Sequence, residues 1–360
     1  MYPSRRAKDA RSPEDIEEGL SVRLLLVGKS SSSRHRMTGT IRVLEAVRSA
    51  ALERGWECEV VPDPQNGKIA SYAQVIGVLF RRWDAINVHL DANYGLVVGL
   101  LRFRSKIAYL TVHGYSKLES PFSHYLNFVQ WLQIKVLFRH RIYPSQLMKQ
   151  LIERKENIGG GFVIHNGFKM TEHVPEISDS TMGKTIDLFS LCGYGPNKGV
   201  GVLIHALSNL EAEYTAVVAG NFLEDYGVPN LDARVASKIR FLGNLSREDI
   251  LGFLMRTRMY VQASLFESFS IPVLEAMSQG LPVIVSDMAG VSEVLTHNHD
   301  CLKVSAGDAK ALSEAIELLL DDKALCKRLG GNARQTATCF TESRMAGAYL
   351  RYFDERRLSK

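Results

Sequence analysis

Short apolar runs alternate with amphipathic stretches in two successive sets, and this constrains the fold more than any other feature of the chain. Residues 22–27, 57–61, 85–89 and 107–112 read as strands, with helical patterns between them. A second set begins at 186–191 and continues through 214–219, 238–242, 259–263 and 281–286. Strands separated by helix-length segments pair in parallel, and the crossover helices cover both faces of the sheet. At 360 residues the chain is too long for one compact core, so two doubly wound α/β domains are expected. Between the sets lie three consecutive glycines, Gly159 to Gly161, and then a polar stretch reaching Lys184, which suits a linker. The expected organisation is a flexible charged leader over 1–20, a first domain over 21–168, a linker over 169–184, a second domain over 185–340 and a terminal helix over 341–360 that returns to the first domain. The carboxyl ends of the two sheets should open onto a shared cleft.

Bulk properties exclude several classes. No run of eighteen apolar residues occurs, and 1–20 carries both charge signs without an apolar signal core. The five cysteines (Cys58, Cys192, Cys301, Cys326, Cys339) are scattered and show no metal-ligand spacing, so a reducing cytoplasm is the expected setting. The net charge of +5 is uneven: residues 1–180 hold 25 Lys/Arg against 18 Asp/Glu. A basic first half suits nucleic acid, an anionic membrane, an acidic acceptor or simply a solvated surface. The bases form no dense run, so nucleic acid ranks last. The stretch 121–141 combines Phe122, Tyr125, Phe128, Trp131 and Phe138 with Lys135, Arg139 and Arg141. As an amphipathic helix it would lie on a membrane surface or cover its own sheet, and the second reading is preferred.

The segment from Phe266 to Ser286 carries the chemistry. Residues 271–279 read as a short helix, with Pro272 in its first turn and Gly280 at its exit, between strands at 259–263 and 281–286. Glu267 then lies on the loop after a strand and Glu275 one turn inside the helix. A helix N-terminus at a strand's carboxyl end attracts anions, while carboxylates accept hydrogen bonds from hydroxyls. The combination points to a phosphate flanked by polyhydroxylated groups, as in a nucleotide-sugar. Ordinary surface glutamates would share the spacing but not its setting.

Other constellations are weaker. Gly193, Tyr194 and Gly195 lead to Lys198 and Gly199 after the first strand of the second domain, where a backbone can approach an anion and a lysine can face it. His113, in Thr111-Val-His-Gly-Tyr115, sits at a strand end and would point into the cleft, although no Asp or Glu evidently orients it. Gly28-Lys29-Ser30 is not a Walker loop, because Arg23 stands where that motif's first glycine belongs. No cluster of carboxylates, histidines or cysteines offers a metal site.

With these segments, together with Val163-Ile-His-Asn-Gly167 and Ile239-Arg-Phe-Leu-Gly243, the chain resembles family 4 of the retaining glycosyltransferases, most closely over 186–304. The resemblance implies the GT-B fold, two Rossmann-like domains facing a central cleft, and a nucleotide-sugar donor with no metal or other cofactor. It implies that Glu275 contacts the ribose, Glu267 the transferred sugar, and Lys198 the leaving diphosphate. His113 would lie against the sugar. Backbone donors at Ser268, Phe269 and Ser270 would reach the distal phosphate or sugar, Gly39 and Thr40 would line the phosphates, and Leu245 would offer backbone groups to the base. Two positions depart from the family pattern. Tyr194 stands where an arginine is usual, with Arg34 or Arg36 as possible substitutes, and Ser268 and Ser270 stand where glycines are usual. The expected function is a metal-independent, retaining transfer from a nucleotide-diphosphate sugar, with uridine the expected base, to a glycan, lipid-linked or small-molecule acceptor. Peripheral contact with the inner membrane face through 121–141 is an accompanying expectation. The first alternative is an inactive nucleotide-sugar-binding subunit supporting another transferase. The second, a nucleotide-sugar epimerase, fits the Glu267 segment poorly.

Overall fold

The computed structural model describes residues 21–28, 39–62, 68–89, 92–101, 105–115, 124–170, 186–192, 195–220 and 231–358. The leader at 1–20, the loop with Arg34 and Arg36, most of the 169–184 linker, and Gly193 and Tyr194 lie outside them.

Two sheets of six parallel strands form the framework. The first contains β1 (Arg23–Val27), β2 (Glu57–Val61), β3 (Trp83–His89), β4 (Ser105–Thr111), β5 (His140–Tyr143) and β6 (Phe162–Val163), in the order β2-β1-β3-β4-β5-β6. The second contains β7 (Ile186–Leu191), β8 (Ala216–Ala219), β9 (Ile239–Leu242), β10 (Thr257–Gln262), β11 (Val283–Ser286) and β12 (Leu302–Val304), in the order β12-β11-β10-β7-β8-β9. Strand order therefore reverses between β1 and β3 in one sheet and between β7 and β10 in the other. At such a point the flanking loops diverge and leave a crevice at the strands' carboxyl ends.

Continuous apolar strands arise because both faces are covered. In β1, Leu24 and Leu26 join one core cluster while Leu25 and Val27 join the cluster on the opposite face. In β7, Leu188 and Phe189 divide in the same way. The helix Glu342–Leu358 buries Met345, Ala346, Tyr349, Leu350, Tyr352 and Phe353, which share one helical face, among Leu24, Leu26, Val43 and Val47 of the first domain.

The chain crosses between the domains at two adjacent places. Phe168 N donates to Phe340 O (3.0 Å) and Glu342 N donates to Phe168 O (2.9 Å). A Cβ on Gly167 would lie 2.3 Å from Thr341 O, so this close approach requires glycine.

The single amphipathic helix expected over 121–141 is not what forms. A helix His124–Leu132 runs into a π-helical turn Gln133–Leu137, and Arg141 belongs to β5. The wide turn leaves carbonyls in need of donors, and the buried Arg141 guanidinium supplies them. It donates to Ile134 O and Phe138 O (both 2.9 Å) and to Gly159 O (2.5 Å). Ile134 and Phe138 are core residues, whereas Phe128 and Val136 are exposed.

Candidate functional site

The loops that flank the second-domain reversal are fastened to each other. After β7 the chain makes a 3-10 turn, Pro196–Lys198, and passes Gly199 at φ +70°. A Cβ there would lie 1.8 Å from Ala263 O, so glycine lets this loop rest directly on the end of β10. The Asn197 carbonyl then accepts from Leu265 N (2.8 Å) and Phe266 N (3.2 Å). This zipper brings Lys198 Nζ to 2.5 Å from Glu267 Oε2. Glu267 is held in turn by its N–H to Met288 O (3.1 Å) and by Gly290 N, which donates to its carbonyl (2.9 Å).

The loop continues into the helix Ile271–Ser278, with Pro272 in its first turn. Its N-cap, Ser270, has φ +83° and ψ +80°, a left-handed conformation that disfavours any residue with a Cβ. The Ser270 hydroxyl does not cap the helix. It donates instead to Gln262 Oε1 (2.9 Å), which also accepts from Tyr260 Oη (3.1 Å), while Gln262 Nε2 donates to Ser264 Oγ (2.7 Å). A buried polar row beneath the loop therefore holds a backbone that glycine would adopt without strain.

Contacts from the first domain complete the loop's surroundings. The Phe269 ring turns into the core and stacks on His165, with centroids 5.7 Å apart, while its neighbours Ser268 and Ser270 line the cleft. Ser145 Oγ donates to Ser268 O (2.8 Å). Glu293 accepts from Gln146 N (2.8 Å) and Leu147 N (2.9 Å), the first amides of the helix Gln146–Glu156, and lies 2.8 Å from His165 Nε2. Burial alone would raise the Glu293 pKa, but His165 and the two amides outweigh it and the pKa falls.

Between the domains lies a cleft of about 350 Å³. The second domain lines it with Lys198, Glu267, Ser268, Ser270 and Glu275, together with Ile271 and Pro272 at the helix start. The first domain contributes Thr40, Arg42, His113 and Asn166. Thr40 and Arg42 come from the first turn of the helix Gly39–Glu53, and His113 follows β4. The Leu245 side chain packs, half-buried, on the second-domain core, and Ile250, five residues on, lines the cleft.

Sequence reasoning missed two functional candidates. Arg42 Nη1 lies 2.7 Å from Glu275 Oε1, so the carboxylate assigned to a ribose is engaged by a cation from the other domain. The partner that orients His113 is another imidazole: His89 Nδ1 lies 2.8 Å from His113 Nε2. Burial lowers the His89 pKa far below its ordinary value, and lowers that of His113 to about 4, so both rings are neutral at neutral pH. The strand-end argument that identified His113 applies equally to His89, the last residue of β3, whereas nothing local marks Arg42. Among the described residues, no group of three or more His, Cys, Asp or Glu side chains gathers as a metal site, and no helix is long and apolar enough to cross a membrane.

Comparison with known proteins bears on the family and the fold. Residues 181–336 match the family model of glycosyl transferases group 1. Over 158 residues the chain is 32% identical to an N,N'-diacetylbacillosaminyl-diphospho-undecaprenol alpha-1,3-N-acetylgalactosaminyltransferase of Campylobacter jejuni, an alignment covering 44% of this chain and 42% of that protein. The chain spans about half the length of the first curated relatives it matches. Among solved structures, sucrose-phosphate synthase of Thermosynechococcus elongatus superposes with a TM-score of 0.74 at 15% identity, covering 94% of this chain and 99% of that one. Anabaena HepE, solved with UDP and glucose, superposes with a TM-score of 0.70 at 17% identity, covering 92% and 100%. These likenesses establish the fold as GT-B, two doubly wound domains about a cleft.

Proposed function

We propose that this chain, a group 1 glycosyl transferase through its residues 181–336, moves a sugar with retention of configuration from a uridine-diphosphate sugar to a glycan or lipid-linked acceptor, without a metal ion. One observation carries the reading. The fastened loops after β7 and β10 hold Lys198 and Glu267 together at the strand-order reversal, facing Thr40 and His113 from the other domain. As the sugar–phosphate bond breaks, negative charge grows on the leaving oxygen and the sugar gains oxocarbenium character. Lys198 and the start of the helix Ile271–Ser278 stabilise the leaving group, and Glu267 and His113 hold the sugar. The acceptor is delivered on the face from which the diphosphate departs, so no side chain has to form a covalent intermediate.

A lipid-linked acceptor suits the exposed surface of the helix His124–Leu132 and the turn after it. There Phe128 and Val136 stand with Lys135 and Arg139, an apolar and basic combination that favours an anionic membrane surface. Three measurements test the reading. UDP-sugars are screened by thermal shift, where ligand at a hundred times its Kd stabilises by about 2.7 kcal/mol. Transfer is then measured with and without EDTA, and the product anomer is read by NMR. Absence of stabilisation by every UDP-sugar, loss of activity in EDTA that a divalent ion restores, or an inverted anomer would each remove the corresponding part. A chain that binds UDP-sugar but never releases UDP would be a binding subunit.

A further inference from the structure

A row of buried side chains leads to His113 from behind the cleft. β3 and β4 pair in parallel with His89 beside Thr111, and Asn87 lies two residues before His89 on the same face of the strand. Thr111 Oγ1 donates to Asn87 Oδ1 (2.9 Å), Asn87 Nδ2 lies 3.1 Å from His89 Nε2, and His89 Nδ1 lies 2.8 Å from His113 Nε2. Thr111, Asn87 and His89 are each at most 1% exposed. At the far end, Tyr349 of the crossing helix hydrogen-bonds the Thr111 side chain and stacks over His89 with centroids 6.5 Å apart. Gly28, at the end of β1, leaves room for this arrangement: a Cβ there would lie 3.1 Å from His89 Cβ and 3.0 Å from Leu44 Cδ1.

The row has a direction. With the Thr111 hydroxyl donating to the Asn87 oxygen, the Asn87 amide turns its N–H toward His89, and His89 Nε2 accepts. The His89 proton is then on Nδ1, which donates to His113 Nε2. With Nε2 accepting, a neutral His113 carries its proton on Nδ1, the ring nitrogen that His89 leaves for the cleft. We propose that His89 is a positioning residue that presents His113 to the cleft as a neutral Nδ1–H donor, so that the bound ligand must place an acceptor oxygen, a sugar hydroxyl or ring oxygen, against it. The inference rests on the sugar-transfer reading for the nature of that ligand. It also gives His113 a definite role: its acceptor nitrogen is occupied, so it cannot take a proton from an incoming acceptor and serves to orient the sugar.

The test reads the proton directly. The full chain is labelled with 15N-histidine, His113 is assigned from the resonances lost in His113→Gln, and long-range 1H–15N spectra report which ring nitrogen is protonated. The expected result is a proton on Nδ1. Asn87→Asp exchanges the donor amide for an acceptor of the same shape. It should reverse the row and move the His113 proton to Nε2. UDP affinity should then change less than twofold, while UDP-glucose hydrolysis falls at least tenfold in kcat. A wild-type His113 protonated on Nε2, or an Asn87→Asp spectrum identical to wild type, overturns the inference, and the wild-type spectrum is decisive by itself should that variant not fold. The spectra need no turnover, so a chain inert toward every UDP-sugar yet protonated on Nδ1 counts against the transferase reading and leaves the positioning role standing.

Discussion

Arg42 and Glu275 meet across the cleft, Nη1 to Oε1 at 2.7 Å, with side chains only 12% and 6% exposed. They come from different domains and lie 233 positions apart. Removing one member of a buried pair leaves the other charged and unpartnered, at a cost of about 3–5 kcal/mol. Arg42→Met and Glu275→Met should therefore each destabilise the chain, and the double variant should recover at least about 1 kcal/mol relative to additivity. Denaturant unfolding of the four proteins gives the coupling, and additive losses would show that the pair does not form in solution.

The same carboxylate is the one assigned to the ribose, so UDP and Arg42 compete for it. Glu275→Ala should weaken UDP binding by about 1.5–3 kcal/mol, the scale of hydrogen bonds to a charged group. Arg42→Met should leave UDP affinity equal or tighter. Calorimetric titration measures both, and an unchanged affinity in folded Glu275→Ala would take the ribose contact away from this residue.

Lys198 faces charge that grows during reaction, so its effect should fall on the transition state. Lys198→Ala should lower turnover by roughly 10²-fold while UDP affinity changes far less. Normal turnover in this variant would place stabilisation of the leaving group in the first domain.

Ser270 gives a contrast between two truncations. Ser270→Ala keeps the Cβ at φ +83° and loses the hydrogen bond to Gln262, whereas Ser270→Gly loses the same bond and relieves the strain. The glycine variant should be the more stable of the two by about 1 kcal/mol. Equal unfolding midpoints would mean that the loop relaxes around either residue.

The paired imidazoles predict an acid limit. His113 titrates near pH 4 in the folded chain and near its ordinary value of 6.5 when unfolded, and His89 is shifted in the same direction. The unfolded chain binds more protons in that window, so stability is complete above about pH 6.5 and declines as the pH falls toward 4. Replacing both histidines by asparagine should flatten the decline, as read from melting temperatures across that range.

The parts of the site legible in the sequence are those written locally. From the end of β10 to β11, the strand, Pro272, Gly280 and the next strand fall within a few turns of one another, so the placement of Glu267 and Glu275 follows from short-range rules. Ser270 was marked only by the resemblance, as a serine where glycine is usual, and its left-handed backbone came from the structure. The pairing of His89 with His113 depends on the register of two strands, and that of Arg42 with Glu275 on how two domains meet. Neither relation has a period or a local signature. Arg141 misled because a basic residue after an aromatic run reads as a helix surface, yet its guanidinium is spent on carbonyls of the irregular π turn. β6, with two residues, and β12, with three, are too short to show alternation.

The helix Glu342–Leu358 fills a core whose other walls are β1, β3, β4 and the helix Gly39–Glu53. A ribosome delivers those walls early and the filling late, after the whole second domain has emerged. The first domain to be synthesised is thus the last to be sealed. Until then Leu24, Leu26 and Tyr109 lie in a core that the helix Gly39–Glu53 covers only in part, a surface for which a chaperone or a neighbouring nascent chain can compete.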